Sequence, residues 1–540
     1  MVDSIVFSTK QQPSVPLSTA ILHHKIKLDT HQFTAAGLNS FDIFITFKYP
    51  IVAFRNHDYK WVPCNSDRIA GPYAPKIIKL ANGIFVQPNV NLGFWEVQKN
   101  NPKTLLWRFN PPNASPLTVY SGKHNERVVA ETNQIVTFST PLELLFTTKT
   151  SIEFSRSPKP FSAIACFTDH CDFDTLENLK LQRAFFKANN IKVTKGFFLN
   201  HFSKREDNAS FELDQQELEQ WTQDGHELAY HSLSQSLKNT PDSFQDFYKF
   251  IPPSTKVSTW IDHGFQPYNL SLYQTQGMED AVFATALNEK GITTLWNYID
   301  SGTSSEGVIN QLNSDDFTLG RFYNGIKNLG FKAKMGILIK NSMVHFYADE
   351  RLITKYKSLA THFKQLIYDK KIGVLPRFFS DFAGISRPLL KILIFWNQLK
   401  SKPYKLAKYT PLVFKHALEG IDFYIFQTIE MIDFKKSLHP KTIDKLIEEK
   451  GVFIAHTYFS VPLSYHTGRM FATEASIDKT VTENFNYLSA KVDLGEIWNP
   501  TLNELVLFLA NFEKTVLDVD TNGNSFVVNA ASIPFRILNE

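Results

Sequence analysis

Cysteine is scarce in this chain: three in 540 residues, Cys64, Cys166 and Cys171. That leaves no disulfide framework and no paired cysteines at zinc-finger spacing, and it fits a reducing compartment. No apolar run approaches the roughly 20 residues needed to cross a bilayer. The opening residues, MVDSIVFSTKQQPSVP, have neither the basic start nor the apolar core of a secretion signal, so the chain is expected to stay in the cytoplasm. An excess of one charge is also lacking. With 57 Lys and Arg against 53 Asp and Glu, the net +4 is too balanced to imply nucleic acid as a partner. There is no Gly-rich phosphate loop, no nucleophile elbow and no His-Glu-x-x-His helix, which argues against NTPases, α/β serine hydrolases and thermolysin-like peptidases. What remains, at 43% hydrophobic and 20% charged residues, is a large globular protein of several domains.

The chain divides by pattern. Residues 1–157 carry short aromatic and β-branched runs such as FDIFITFKYPIVAF, KIIKLANGIFVQ and TLLWRFN, broken by Asn, Pro and Gly about every ten residues, which predicts an all-β, sandwich-like domain. Trp61, Trp95 and Trp107 are read there as core more readily than as a carbohydrate platform. From residue 158 the pattern becomes strand then amphipathic helix, and strands separated by helices of this length pair in parallel through right-handed crossovers. The fold class expected is therefore α/β: a (β/α) barrel of about seven or eight strands over 158–330, completed by 451–540, with a helical insertion at 331–450.

Four strand-like runs end on metal-capable or catalytic side chains, the place where such barrels build their sites. FSAIACFTDHCDFDT (161–175) ends in Asp169, His170, Asp172 and Asp174. DGHELAYHSLSQS (224–236) carries His226 before its apolar run and His231 after it. WIDHGFQPYN (260–269) supplies His263 and Tyr268, and GVFIAHTYF (451–459) supplies His456. His226, beside a Gly turn, reads as structural. Cys166 and Cys171 read as buried thiols, and Asp174-Thr175 reads equally well as a helix N-cap.

The order and wording of these runs resemble the polysaccharide deacetylase family, also called the NodB-homology or carbohydrate esterase 4 family. CFTD (166–169) is similar to its first motif, in which one Asp is the base and the next binds metal. On one register Asp169 is the ligand, with Asp172 or Asp174 supplying the base; shifted by one, Asp169 is the base and His170 the ligand. His231-Ser232 resembles the second motif, with Gln235 where a second His is usual, so that His170 or His263 must complete the set. Gln266-Pro267-Tyr268 keeps the Pro and Tyr of the third motif without its Arg. Trp296 and Asp300, in TLWNYIDSG (294–302), resemble the fourth, and Ile454-Ala455-His456 the fifth, where His is the general acid. The resemblance implies a divalent metal, zinc by preference, held by Asp169, His170, His231 and His263. It further implies Asp172 and His456 as catalytic residues, and Trp296, Tyr268 and Asp300 against a carbohydrate or glycolipid substrate that loses an acyl group. The competing expectation is a barrel without catalysis, acting as a glycan-binding or scaffold protein at a membrane.

The stretch 371–410 differs from the rest. Lys371, Arg377, Arg387, Lys391, Lys400, Lys402, Lys405 and Lys408 face the single acid Asp381, amid Phe378, Phe379, Phe382, Ile394, Phe395 and Trp396. Aromatic and aliphatic bulk flanked by one sign of charge predicts a surface lying in a membrane interface, peripheral on the inner face. The alternative is a helical hairpin packed on the barrel or on a second subunit.

Overall fold

The computed structural model describes residues 1–10, 15–31, 33, 37–120, 127–132, 134–200, 209–231, 248–251, 256–261, 279–303, 307–327, 329–431, 433–461, 468–473 and 475–539. Strict alternation makes the first domain. Phe41–Phe47 buries every second residue of FDIFITF, so one face of its strand must be covered. It is central to a six-stranded antiparallel sheet, and a seven-stranded sheet containing Phe85–Pro88 and Glu143–Thr147 lies against it. Phe41, Ile43, Ile45 and Phe47 from one sheet and Leu28, Val86, Leu144 and Phe146 from the other share a single core. Trp95 and Trp107 belong to that core, edge to face at 6.0 Å. Trp61, 37% exposed, lies on Phe85.

Seven parallel strands close the barrel: β1 (Ala163–Asp169), β2 (Thr194–Phe197), β3 (Glu227–His231), β4 (Thr259–Ile261), β5 (Thr294–Thr303), β6 (Ile421–Glu430) and β7 (Val452–Thr457). β1 pairs with both β7 and β2, which completes the ring. The helices α1 (Leu176–Ala188), α2 (Phe211–Gln223), α3 (Asp280–Glu289), α4 (Pro440–Glu448) and α5 (Lys479–Asp493) follow strands, as a βα succession requires. α1 starts at Thr175, whose side chain accepts from Asn178 N; Asp174 is engaged elsewhere.

Side-chain phase separates two cores. Phe167, Leu228, Tyr230, Trp260, Leu295, Ile425 and Phe453 point outward to the helices, while Ile164, Cys166, Ala229, Ile261, Trp296, Phe426 and Ile454 fill the interior. A helix at Leu502–Ala510 closes the N-terminal end of the ring: Leu502, Leu505, Val506 and Leu509 enter the interior core, and its first amides meet Thr194 Oγ1 and Glu227 Oε2 at strand starts. Beyond it, Asn522-Gly523 turns a hairpin whose strand bridges Val90, and Phe535–Asn539 pairs with Thr150–Phe154. The C-terminal stretch thus binds the sandwich to the barrel. Buried Arg156 does the same, donating to the carbonyls of His57, Tyr73 and Lys450.

The insertion expected over 331–450 ends sooner. Val413–Leu418 and β6 form an antiparallel pair within the barrel sheet, and α4 is a barrel helix. The inserted helices are Phe331–Asn341, Glu350–Ile367 and Leu375–Ile394. β6 escaped notice because IDFYIFQTIE follows a long basic and apolar text. Between β6 and β7 the ladder is short, Ile429 to Ala455 and Glu430 to His456, and Gln311 fills the gap below it. Gln311 N donates to Val452 O, its Oε1 accepts from Ile454 N, and its Nε2 donates to Gln427 O.

His226 is structural, as its Gly turn suggested. Its Nδ1 accepts from Val193 N at 3.2 Å, a bond only the neutral ring can make, and burial pushes its pKa down to about 4. The unfolded chain binds this proton more readily, so the contribution is present above about pH 6.5 and is lost as pH falls to 4. We predict that His226→Gln flattens the acid limb of the stability curve between those values. Urea unfolding of both proteins across that range should show the wild type losing on the order of 3 kcal/mol more than the variant.

Candidate functional site

The alternation that sorts the core also selects what reaches the C-terminal mouth. Because Ile164 and Cys166 point inward, so do Thr168 and His170, while Asp169 points outward to the helices. The same phase turns His231 on β3, Trp296 on β5, Thr428 and Glu430 on β6, and His456 on β7 to the interior. Sequence spacing therefore placed these side chains together before any loop was folded.

At the mouth, His170, Asp172 and His231 each offer a ligand atom, and these atoms lie within 4.8 Å of one another. All three residues are buried. His231 Nε2 is 3.0 Å from Asp172 Oδ2, and its Nδ1 is 3.3 Å from the carbonyl of Ile261. Both ring nitrogens thus face oxygen acceptors. The pair satisfies both if the ring carries two protons, if a protonated Asp172 donates to Nε2, or if a cation lies on the Nε2 side, with Nδ1–H orienting the ring against a backbone carbonyl as metal-bound histidines do. His170 stands edge-on to His231 at 4.6 Å and lies 4.2 Å from the ring of His456. Trp296 packs edge-on to His170 at 5.0 Å and to His456 at 4.8 Å, its indole nitrogen donating to Thr428 Oγ1. Tyr458 packs on His170 and His456 as well, at 4.9 and 5.2 Å.

Asp169, expected as a ligand or base, is not in this group. Its outward phase puts it beside α1, where Oδ2 takes the ammonium of Lys195 and Oδ1 accepts from Thr457 Oγ1 and Phe459 N, both at 2.9 Å. Lys195 also donates to Asp174 at 2.6 Å and Gln182 at 2.9 Å, and Asp174 accepts from Gln182 and Ser460. Burial pushes the Asp169 carboxyl up to about 7, against the opposing pull of Lys195. Burial disfavours the Lys195 charge, yet two carboxylates hold it above the usual lysine range. We take the ammonium as charged and shared, since three oxygens converge on it. The loop 170–175 and the loop after β7 are both pinned by this ion cluster, so Asp169 positions the mouth from outside it.

His263 and Tyr268 lie outside the described residues, as does Gln235, and so does the side chain of Asp300, whose backbone pairs with Thr428. Four residues at the mouth were not singled out from sequence. Lys195 had a legible signal, a charge inside the buried strand segment TKGF. Glu430 also had one, since β6 ends on a carboxylate as the other runs end on His or Asp. Tyr458 follows His456 by two positions. Gly196 is required by close approach: a Cβ there would lie 2.6 Å from the carbonyl of Asp169 and 3.5 Å from His231 Cβ.

No family model matches the chain, and no curated protein matches it. Among solved structures, a glycoside hydrolase family 31 dextranase of Flavobacterium johnsoniae with isomaltotriose aligns at 7% identity over 55% of this chain and 41% of its own, with a TM-score of 0.20. A xylosidase from Aspergillus niger aligns at 10% identity over 48% and 37%, TM-score 0.19. The same dextranase with glucose aligns at 8% over 99% and 69%, TM-score 0.23. The chain spans well under half the length of the first two. Likeness at this level carries no argument about the site.

The ion cluster yields a direct expectation. Lys195→Met leaves two buried carboxylates facing each other without a cation and should cost about 3–5 kcal/mol in denaturant unfolding. Adding Asp169→Asn to it should recover part of that loss; a double variant no more stable than the single one would show that the lysine acts by packing alone.

Proposed function

We propose that the barrel mouth is the active site of a metal-dependent hydrolase that removes an acyl group from an N-acetylated sugar or glycan precursor. The observation that carries this reading is His231, whose two nitrogens face the Ile261 carbonyl and the Asp172 carboxylate while His170 closes the same small group. Two imidazoles and one carboxylate are the donor set of an open divalent site, and zinc suits it best. Asp172, expected as the base, here belongs to that donor set. A metal held there supplies Lewis acidity, lowering the pKa of a water and polarising the acyl carbonyl.

The remaining roles fall to this chain's own groups. Glu430, inward on β6 and opposite His456 in register, takes the proton of the attacking water. His456 gives a proton to the departing amine, being on the same inward phase and against His170. Tyr458, beside both histidines and only partly buried, offers a ring face on which a pyranose can lie, while Trp296 backs the histidines from the inner core. The choice of an N-acetyl sugar rests on the resemblance of the strand-end wording to the deacetylase family. A binding-only barrel would have no use for Glu430 and His456 side by side at the edge of a donor set.

The test separates metal from chemistry. Protein purified with zinc present should hold close to one equivalent by elemental analysis, His231→Ala should lose it, and both should show the same circular dichroism. Glu430→Gln should keep the metal and lose about 10²–10⁴-fold in release of acetate from N-acetylglucosamine oligomers. Full metal content in His231→Ala would move the site elsewhere. Metal binding without acetate release in the wild type would favour the glycan-binding alternative.

A further inference from the structure

The insertion is where the charge of this protein is concentrated. Residues 331–410 hold sixteen Lys and Arg against four Asp and Glu, a net of +12 in a chain of net +4, so everything else carries −8. Even the four acids are largely spent. Asp349 and Glu350 open the helix Glu350–Ile367, with Asp349 as its N-cap, and Asp369 pairs with Lys371 at 3.8 Å. Asp381 lies between the two long helices, accepting from Ser358 Oγ at 2.6 Å and facing His362 Nδ1 at 3.1 Å.

The same helices carry large apolar side chains that are exposed among the described residues. On Leu375–Ile394, the residues Phe379, Phe382, Leu390 and Leu393 stand at i, i+3, i+11 and i+14, one stripe of the helix, and all four are exposed, Phe379 by 61% and Leu393 by 68%. Ile385 and Ile392, on the neighbouring face, are the buried ones. At the turn between the two long helices Ile367, Tyr368 at 77% and Ile372 at 73% are exposed as well. Phe378, expected outward, is half-buried among Phe363, Phe379 and Phe382, and Trp396 packs edge-on to Tyr323. An exposed stripe of large apolar side chains along one helix is rare on a soluble surface without a partner.

We propose that this hairpin docks flat on an anionic lipid bilayer, its stripe entering the acyl boundary while Arg377, Arg387, Lys391 and their neighbours meet the headgroups. The charge selects the occupant: a second copy would bring +12 against +12, and an anionic surface alone satisfies both the stripe and its flanks. Among the described residues no helix is long and apolar enough to cross a membrane, so the hairpin lies on the bilayer. The proposal does not depend on how the barrel mouth is read.

The protein is to be sedimented with phosphatidylcholine vesicles with and without phosphatidylglycerol. Binding should require the anionic lipid and weaken as salt is raised past about 0.1 M, where charges are screened within about 10 Å. Phe379→Ser with Leu393→Ser, both exposed and so neutral to folding, should weaken anionic-vesicle binding by about a hundredfold. Arg387→Glu with Lys391→Glu should weaken it at low salt and have less effect at high salt. Wild-type binding in the serine variant, or equal binding to neutral and anionic vesicles, overturns the proposal. So does a dimer in analytical ultracentrifugation that the serine variant abolishes, since a second copy would then be the occupant.

Discussion

One buried ammonium organises the barrel mouth. Lys195 sits outside the strand ring, against α1, with Asp169, Asp174 and Gln182 around its nitrogen and no water-facing surface. Each partner holds a different piece of chain: Asp169 ends β1 and ties down Thr457 and Phe459, whereas Asp174 fixes the loop that carries His170 and Asp172 and reaches Ser460. An ion buried this deeply is costly unless every oxygen is satisfied, so the geometry tolerates little drift. The precision of the site is borrowed from that cost. Histidines on two strand ends and a carboxylate on a loop stay within reach of one another because the charges behind them cannot move apart.

The barrel also divides its labour by strand phase. Outward residues make a helix-facing core of aromatics, inward residues make a second core stoppered by Leu502–Ala510, and only the last inward positions are left for chemistry. Among the described residues Trp296 stands between the histidines at that level and the apolar interior: its ring belongs to the inner core, and its edge meets His170 and His456.

Charge is partitioned between the parts with equal sharpness. The residues 331–410 carry a net of +12 and the remainder of the chain −8. On the proposed docking, an anionic surface would attract the insertion and repel the remainder. Arg156 and the C-terminal strand Phe535–Asn539 meanwhile bind the sandwich to the barrel.

Much of this was legible in the residues. Alternation in FDIFITF, the βα succession after residue 158, and apolar runs ending on His170, His231 and His456 follow from periods of two and 3.6, which any local window displays. The stripe Phe379, Phe382, Leu390 and Leu393 is local in the same sense. Strand phase was also written there, yet its consequence for Asp169 depended on which face of β1 was inside. That was settled only when Ile164 and Cys166 met the helix Leu502–Ala510, more than three hundred residues away in sequence. Lys195 as partner of Asp169 and Asp174, Gln311 bridging β6 and β7, and Glu430 beside His456 are likewise long-range facts. A short-range pattern fixes the face a side chain occupies. What waits on that face is decided by chain closure, because burial, counter-charge and hydrogen-bond partners come from segments the local sequence does not contain.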